Sequence, residues 1–96
     1  MKVLELLSDE SKWTKGAAAR DVSGKDVASR SRAAVSWCLL GAVHKCYSTS
    51  EKADRAACAL REAVEALYGF YSLVLWQDRP YVTFEHIQQV LQRADV

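Results

Sequence analysis

Ser48-Thr49-Ser50-Glu51-Lys52-Ala53-Asp54-Arg55-Ala56-Ala57-Cys58-Ala59-Leu60-Arg61-Glu62-Ala63-Val64-Glu65-Ala66-Leu67-Tyr68 carries the cleanest helical period in the sequence. Ala53, Ala56, Ala57, Leu60, Val64 and Leu67, continued by Tyr71, recur at the three- and four-residue spacing that gathers side chains on one helix face. Lys52, Asp54, Arg55, Arg61, Glu62 and Glu65 fall mostly elsewhere. Ser48 and Glu51 have the spacing of a capping box, in which the hydroxyl takes an orphan amide and the carboxylate reaches back. Gly69 weakens or ends the helix. The apolar face is thin because it is largely alanine, which suits close packing against another helix.

Upstream, Val35, Cys38, Leu39, Ala42, Val43 and Cys46 predict a second helix that opens near Ser29 or Ser31 and runs to about Tyr47. Ala34, Trp37 and Gly41 give it a second apolar face, which makes it central, with Trp37 as a core anchor. Gly41 in a helix interior costs about 0.5–1 kcal/mol relative to alanine, so a close backbone approach is the expected compensation. The alanine face of the third helix is the expected neighbour at Gly41 and Ala42. Val3 to about Trp13 reads as a short amphipathic helix. Val22-Ser23-Gly24-Lys25-Asp26-Val27 reads as a tight turn between short extended arms.

Downstream, Phe70-Tyr71-Ser72-Leu73-Val74-Leu75-Trp76 is apolar enough for a buried helical turn or a strand. A lone strand would have no obvious partner, so helix is favoured, with Trp76 as a second core anchor. Asp78-Arg79-Pro80 stops it. Thr83 caps a last helix in which Val82 and Ile87 form a hydrophobic staple. Phe84, Ile87, Val90, Leu91 and Ala94 face inward. The expected fold is therefore mainly α, a compact single-domain bundle of four to five helices over residues 1–96, with room for a short β-hairpin near residues 18–27.

The 96 residues are 50% hydrophobic and 26% charged, with four glycines and one proline, a globular composition. Such a chain buries roughly 60–70% of its unfolded surface, enough for one core without a metal or a disulfide. Glu5 interrupts the only apolar stretch placed to act as a signal peptide. The longest nearly apolar stretch, Ala33 to Val43, is eleven residues and contains Ser36. A membrane span takes about twenty. Three cysteines are an odd count with no scaffold spacing, so reduced thiols and a cytoplasmic setting are expected.

Chemistry finds little material. Cys38, His44 and Cys46 lie six and two residues apart on a helix, which points them in different directions, whereas zinc needs convergent ligands. Cys58 lies almost opposite Leu60, so its thiol is expected to be exposed. Arg55, Arg61 and Glu62 around it roughly offset one another, and nothing lowers its pKa. Asp9 with Glu10 and Glu62 with Glu65 belong to solvated faces. No nucleophile elbow or phosphate loop is present. No cofactor and no enzymatic activity are expected.

The net charge of +1 hides an asymmetry. Ser11 to Lys45 holds seven basic residues (Lys12, Lys15, Arg20, Lys25, Arg30, Arg32, Lys45) against Asp21 and Asp26. Trp13 and Trp37 lie within that segment and could stack on bases. A mildly basic solvated face with its tryptophans in the core is the plainer reading, since no nucleic-acid-binding motif accompanies the charge. Trp13, which follows a charged stretch, is the tryptophan expected to be partly exposed.

Trp13-Thr14-Lys15-Gly16, Ala19-Arg20-Asp21, Gly24, Trp37-Cys38-Leu39-Leu40-Gly41-Ala42 and Trp76-Gln77-Asp78 follow one another, with Thr83 opening the last helix. This order resembles a family of small uncharacterised proteins from bacteria and their phages, whose pattern runs Trp-x-x-Gly, Cys-x-x-Gly-Ala, Trp-Asn-Asp. Gln77 departs from it. The resemblance implies a compact, mostly helical domain and no transferable activity. By analogy, such small proteins bind a host or phage macromolecule; the expected function is a protein-binding module that regulates or inhibits a host system, with Trp13, Lys15, Arg20, Lys25, Arg30 and Arg32 as the candidate interaction face. Trp37, Cys38, Gly41, Ala42, Trp76 and Asp78 are then structural. A nucleic-acid-binding accessory protein using the basic segment over residues 12–32 is the alternative.

Overall fold

In the computed structural model, which describes residues 1–96, the chain runs α1 (Val3–Leu6), a 3-10 turn (Glu10–Lys12), β1 (Ala19–Arg20), β2 (Asp26–Val27), β3 (Ser36–Trp37), α2 (Leu39–Cys46), α3 (Ser50–Tyr68), α4 (Leu73–Gln77) and α5 (Phe84–Ala94). Helices dominate, but the three strands form one antiparallel sheet in the order β2-β1-β3. Ala19 and Arg20 pair with Val27 and Asp26 on one side and with Trp37 and Ser36 on the other.

The hairpin reading near residues 18–27 holds. Its turn is built by Asp21, whose carboxylate accepts from the Ser23 and Lys25 amides, both at 2.9 Å, and from the Ser23 hydroxyl at 2.7 Å. These bonds, the hydroxyl first, hold the carboxyl below its ordinary pKa. Gly24 closes the turn with φ +86°, a conformation that a side chain disfavours.

The second helix is much shorter than its periodicity predicts. It begins at Leu39 with Cys38 as its cap, and residues 36–37 are strand. The serines upstream compete locally with a helical backbone. Ser31 Oγ accepts from the Ala33 amide (3.1 Å), and the Val35 amide is drawn to the Arg20 carbonyl (2.9 Å). Val35, assigned to the core stripe, is 47% exposed as a result. The first helix is also short. It ends at Leu6, because Asp9 is extended and bonds the Ser11 hydroxyl (2.8 Å).

Helix α3 starts one residue later than the capping box suggests. Thr49, not Ser48, is its cap and accepts from the Lys52 amide at 3.3 Å, while Glu51 pairs with Arg55. Its broadest packing is against α5. Leu60, Val64, Ile87, Val90 and Leu91 are buried, joined by Val3 and Leu7 from the N-terminal segment. Ala63 belongs to this face, whereas Leu67 and Tyr71 are exposed. Residues 73–77 are helical as expected, and Gly69 ends α3. At the start of α5 the Thr83 amide donates to His86 Nδ1 (3.0 Å). No helix is long and apolar enough to cross a membrane.

Gly41 has the close neighbour that its position demands, but α3 does not supply it. A Cβ at Gly41 would lie 1.9 Å from the Ala18 carbonyl oxygen and 2.8 Å from its carbon. The approaching backbone is the segment leading into β1, held by the Cys38 amide donating to Ala18 O (3.2 Å).

Candidate functional site

Trp13, Gln77 and Asp78 meet where the N-terminal segment crosses α2 and α4. Gln77 is a polar residue at the end of an apolar run, and its burial is complete to within 2%. Its Oε1 accepts from the Trp13 indole N–H (2.8 Å) and from the Leu39 amide (3.2 Å), and its Nε2 donates to Asp78. Asp78 Oδ1 also accepts from the Gly16 amide at 3.2 Å. Hydrogen bonding of this kind is what allows an amide to sit in a core.

A hollow of about 280 Å³ opens beside this junction. Gly16, Ala17 and Ala18 form one wall, and Cys38, Leu40 and Gly41 a second. Leu73 and Val74 close the third side, with His44, Gln77 and Asp78 as its other polar residues. The Cys38 thiol accepts from the Gly41 amide (3.2 Å) and so caps α2. Burial, aided by the field of Asp78, pushes this thiol above its ordinary pKa, so it is poorly suited to attack as a thiolate. A second, more open hollow between α3 and α4 shares Leu40, Leu73 and Val74 and continues to Ala57, Arg61 and Tyr71. Cys58, exposed as expected, lies on its edge with Asp54.

The basic residues of the sequence do not form one free patch. Lys15 donates to the carbonyls of Arg79 (2.6 Å) and Val82 (2.7 Å), with its ammonium over the Trp13 ring. Arg20 binds Asp26 (2.6 Å), Thr14 Oγ1 (3.0 Å) and the carbonyls of Gly24 and Lys15. Arg30 caps the end of α2 through the carbonyls of His44 (2.9 Å) and Tyr47 (2.8 Å). Lys12, Lys25, Arg32 and Lys45 are exposed, and their side chains pair with nothing in the chain. Trp13 is half-buried against Phe84 (6.2 Å between ring centroids).

Trp37 and Trp76 are buried, as is Ala42. Trp37 donates its indole N–H to Ser29 O at 2.9 Å, and Trp76 stacks on Tyr68 (5.1 Å). Reading along the chain misses Ala18, Leu40 and Val74 as lining residues, because they come from three distant segments and carry no chemistry of their own. Gln77 did leave a signal: a polar side chain ending an apolar run needs a partner.

No curated protein and no solved structure matches this chain. The resemblance to an uncharacterised family, however, has a counterpart over nearly the whole sequence, since residues 1–95 match one family. The chain belongs to the family of unknown function DUF6197.

Proposed function

We propose that this chain is a small binding module without chemistry of its own, which holds another protein on the apolar surface where α4 meets α2 and α3. The observation that carries this reading is continuity. Leu40, Leu73 and Val74 line both hollows; of these Val74 is 43% exposed, and Tyr71, which lines the second, is 75% exposed. Contiguous apolar exposure on a small domain marks an interaction surface more often than scattered single residues do. Action by occupancy, as a regulator or inhibitor of a host system in a phage or mobile element, is the role that suits such a module. The nucleic-acid alternative is the weaker reading, because Lys15, Arg20 and Arg30 spend their donors on intramolecular acceptors.

Affinity capture from the native host tests this with two variants, each checked for an unchanged circular dichroism spectrum. Val74→Asp should lose the captured protein, whereas Lys25→Glu with Arg32→Glu should keep it. Random duplex and single-stranded DNA should show no binding even at low salt, where phosphate contacts are strongest. The reverse pattern, with salt-sensitive DNA binding that the charge variants abolish, would sink the protein-binding reading.

A further inference from the structure

The hollow beside Gln77 has an unequal balance of polar capacity. Gln77 uses its carbonyl on Trp13 and Leu39 and its amide on Asp78, and the Cys38 thiol is occupied by the Gly41 amide. Asp78 Oδ1 takes two donors, whereas its Oδ2 takes none. None of the chain's ion pairs includes Asp78. Arg20, the guanidinium nearest Gly16, is turned to Asp26 and to backbone carbonyls. The result is a mostly apolar hollow of about 280 Å³ with two unpartnered polar side chains at its exposed edge, the Asp78 carboxylate and the His44 imidazole, of which only the carboxylate is a fixed acceptor for a cation.

We propose that this hollow takes a single lysine side chain of the bound protein, its alkyl stem against Ala17, Ala18, Leu40 and Val74 and its ammonium on Asp78. The inference rests on the protein-binding reading and specifies its anchor. A long cationic side chain covers apolar surface with its stem while its head stays at the water boundary. A purely apolar side chain would fill the hollow but gain nothing from the Asp78 carboxylate at its edge. An acidic one would be repelled. The volume suits one side chain, and it lies below the usual range for drug-sized ligands.

Amide chemical-shift titration of the whole chain with n-pentylammonium, a lysine stem and head, tests the pocket. Shifts should concentrate at Ala17, Ala18, Leu40 and Val74, and pentylammonium should bind about two- to fivefold more tightly than 1-pentanol, the range of an exposed ion pair. Asp78→Asn keeps the Oδ1 acceptor and should erase that margin while leaving pentanol binding unchanged. Equal binding of the two probes by the wild-type chain, or shifts scattered elsewhere, would overturn the proposal. If the variant does not fold, that wild-type comparison decides alone. In the capture experiment, loss of the partner by Val74→Asp but not by Asp78→Asn overturns the lysine anchor and leaves the binding module standing. Capture indifferent to Val74→Asp removes the module itself, and the lysine anchor with it.

Discussion

Gly41 shows how strongly one residue can be determined by a neighbour that the sequence does not reveal. Its glycine is legible as a demand for close approach, but Ala18 lies in another segment, and nothing local names it. The clash that a methyl group would make is with backbone, which cannot swing aside as a side chain can. Gly41→Ala should therefore destabilise by about 3 kcal/mol, the upper end of ordinary overpacking, in urea unfolding. A near-neutral result would mean that the Ala18 segment yields. Gln77 makes the complementary case for buried polarity. Gln77→Leu would strand both the Trp13 indole and the Leu39 amide, at a cost of about 2–4 kcal/mol, whereas Trp13→Phe removes one donor and should cost about 1 kcal/mol. Equal losses would refute this asymmetry.

Among the elements, α3 and α5 were legible because their signals are local: apolar periodicity, a hydroxyl at the start and, for α3, a glycine at the end. The cap of α3 was misplaced by one residue because Ser48, Thr49 and Ser50 are all competent hydroxyls. The distinction is measurable. Thr49→Ala should cost about 1 kcal/mol, and Ser48→Ala less than about 0.5 kcal/mol. Reversed sizes would return the cap to Ser48. Strand β3 was not legible, since residues 35–46 keep a helical period even where the chain is extended. The pairing of Ser36 and Trp37 with β1 overrides that local preference.

Helix α2 also carries a pH dependence. Burial raises the Cys38 and Cys46 thiols in the folded state, so on raising the pH the unfolded chain loses these protons first. Their contribution is whole below the ordinary thiol range and falls as pH climbs above about 8.5. Denaturant titrations at a series of alkaline pH values should show that decline, with a shallower slope in Cys38→Ala. An unchanged slope would remove Cys38 as its source.

For the whole molecule, composition and patterning sufficed for a mainly helical domain, and the sheet's hairpin was visible in its turn residues. The assembly around the hollow was not, because its parts are joined by bonds between residues far apart. Trp13 to Gln77, Gly16 to Asp78 and Lys15 to Val82 span 64, 62 and 67 positions. The segmental charge excess misleads for the same reason, as distant carbonyls absorb Lys15 and Arg30.

The Lys15 bridge to the α4–α5 turn has a kinetic corollary. Loop closure over such spans must be met before these contacts return anything, so chains rich in them fold slowly for their size. Helix α3 can gain structure from neighbouring residues, whereas the hollow's wall at Gly16, Ala17 and Ala18 is in place only after the N-terminal segment has docked on Gln77, Asp78 and Val82. The Leu39 amide, held by Gln77, should then exchange with deuterated solvent only through global unfolding. Protection well below the global value would show that this corner opens on its own. A partner that requires the closed surface would also select against every partly folded form of the chain.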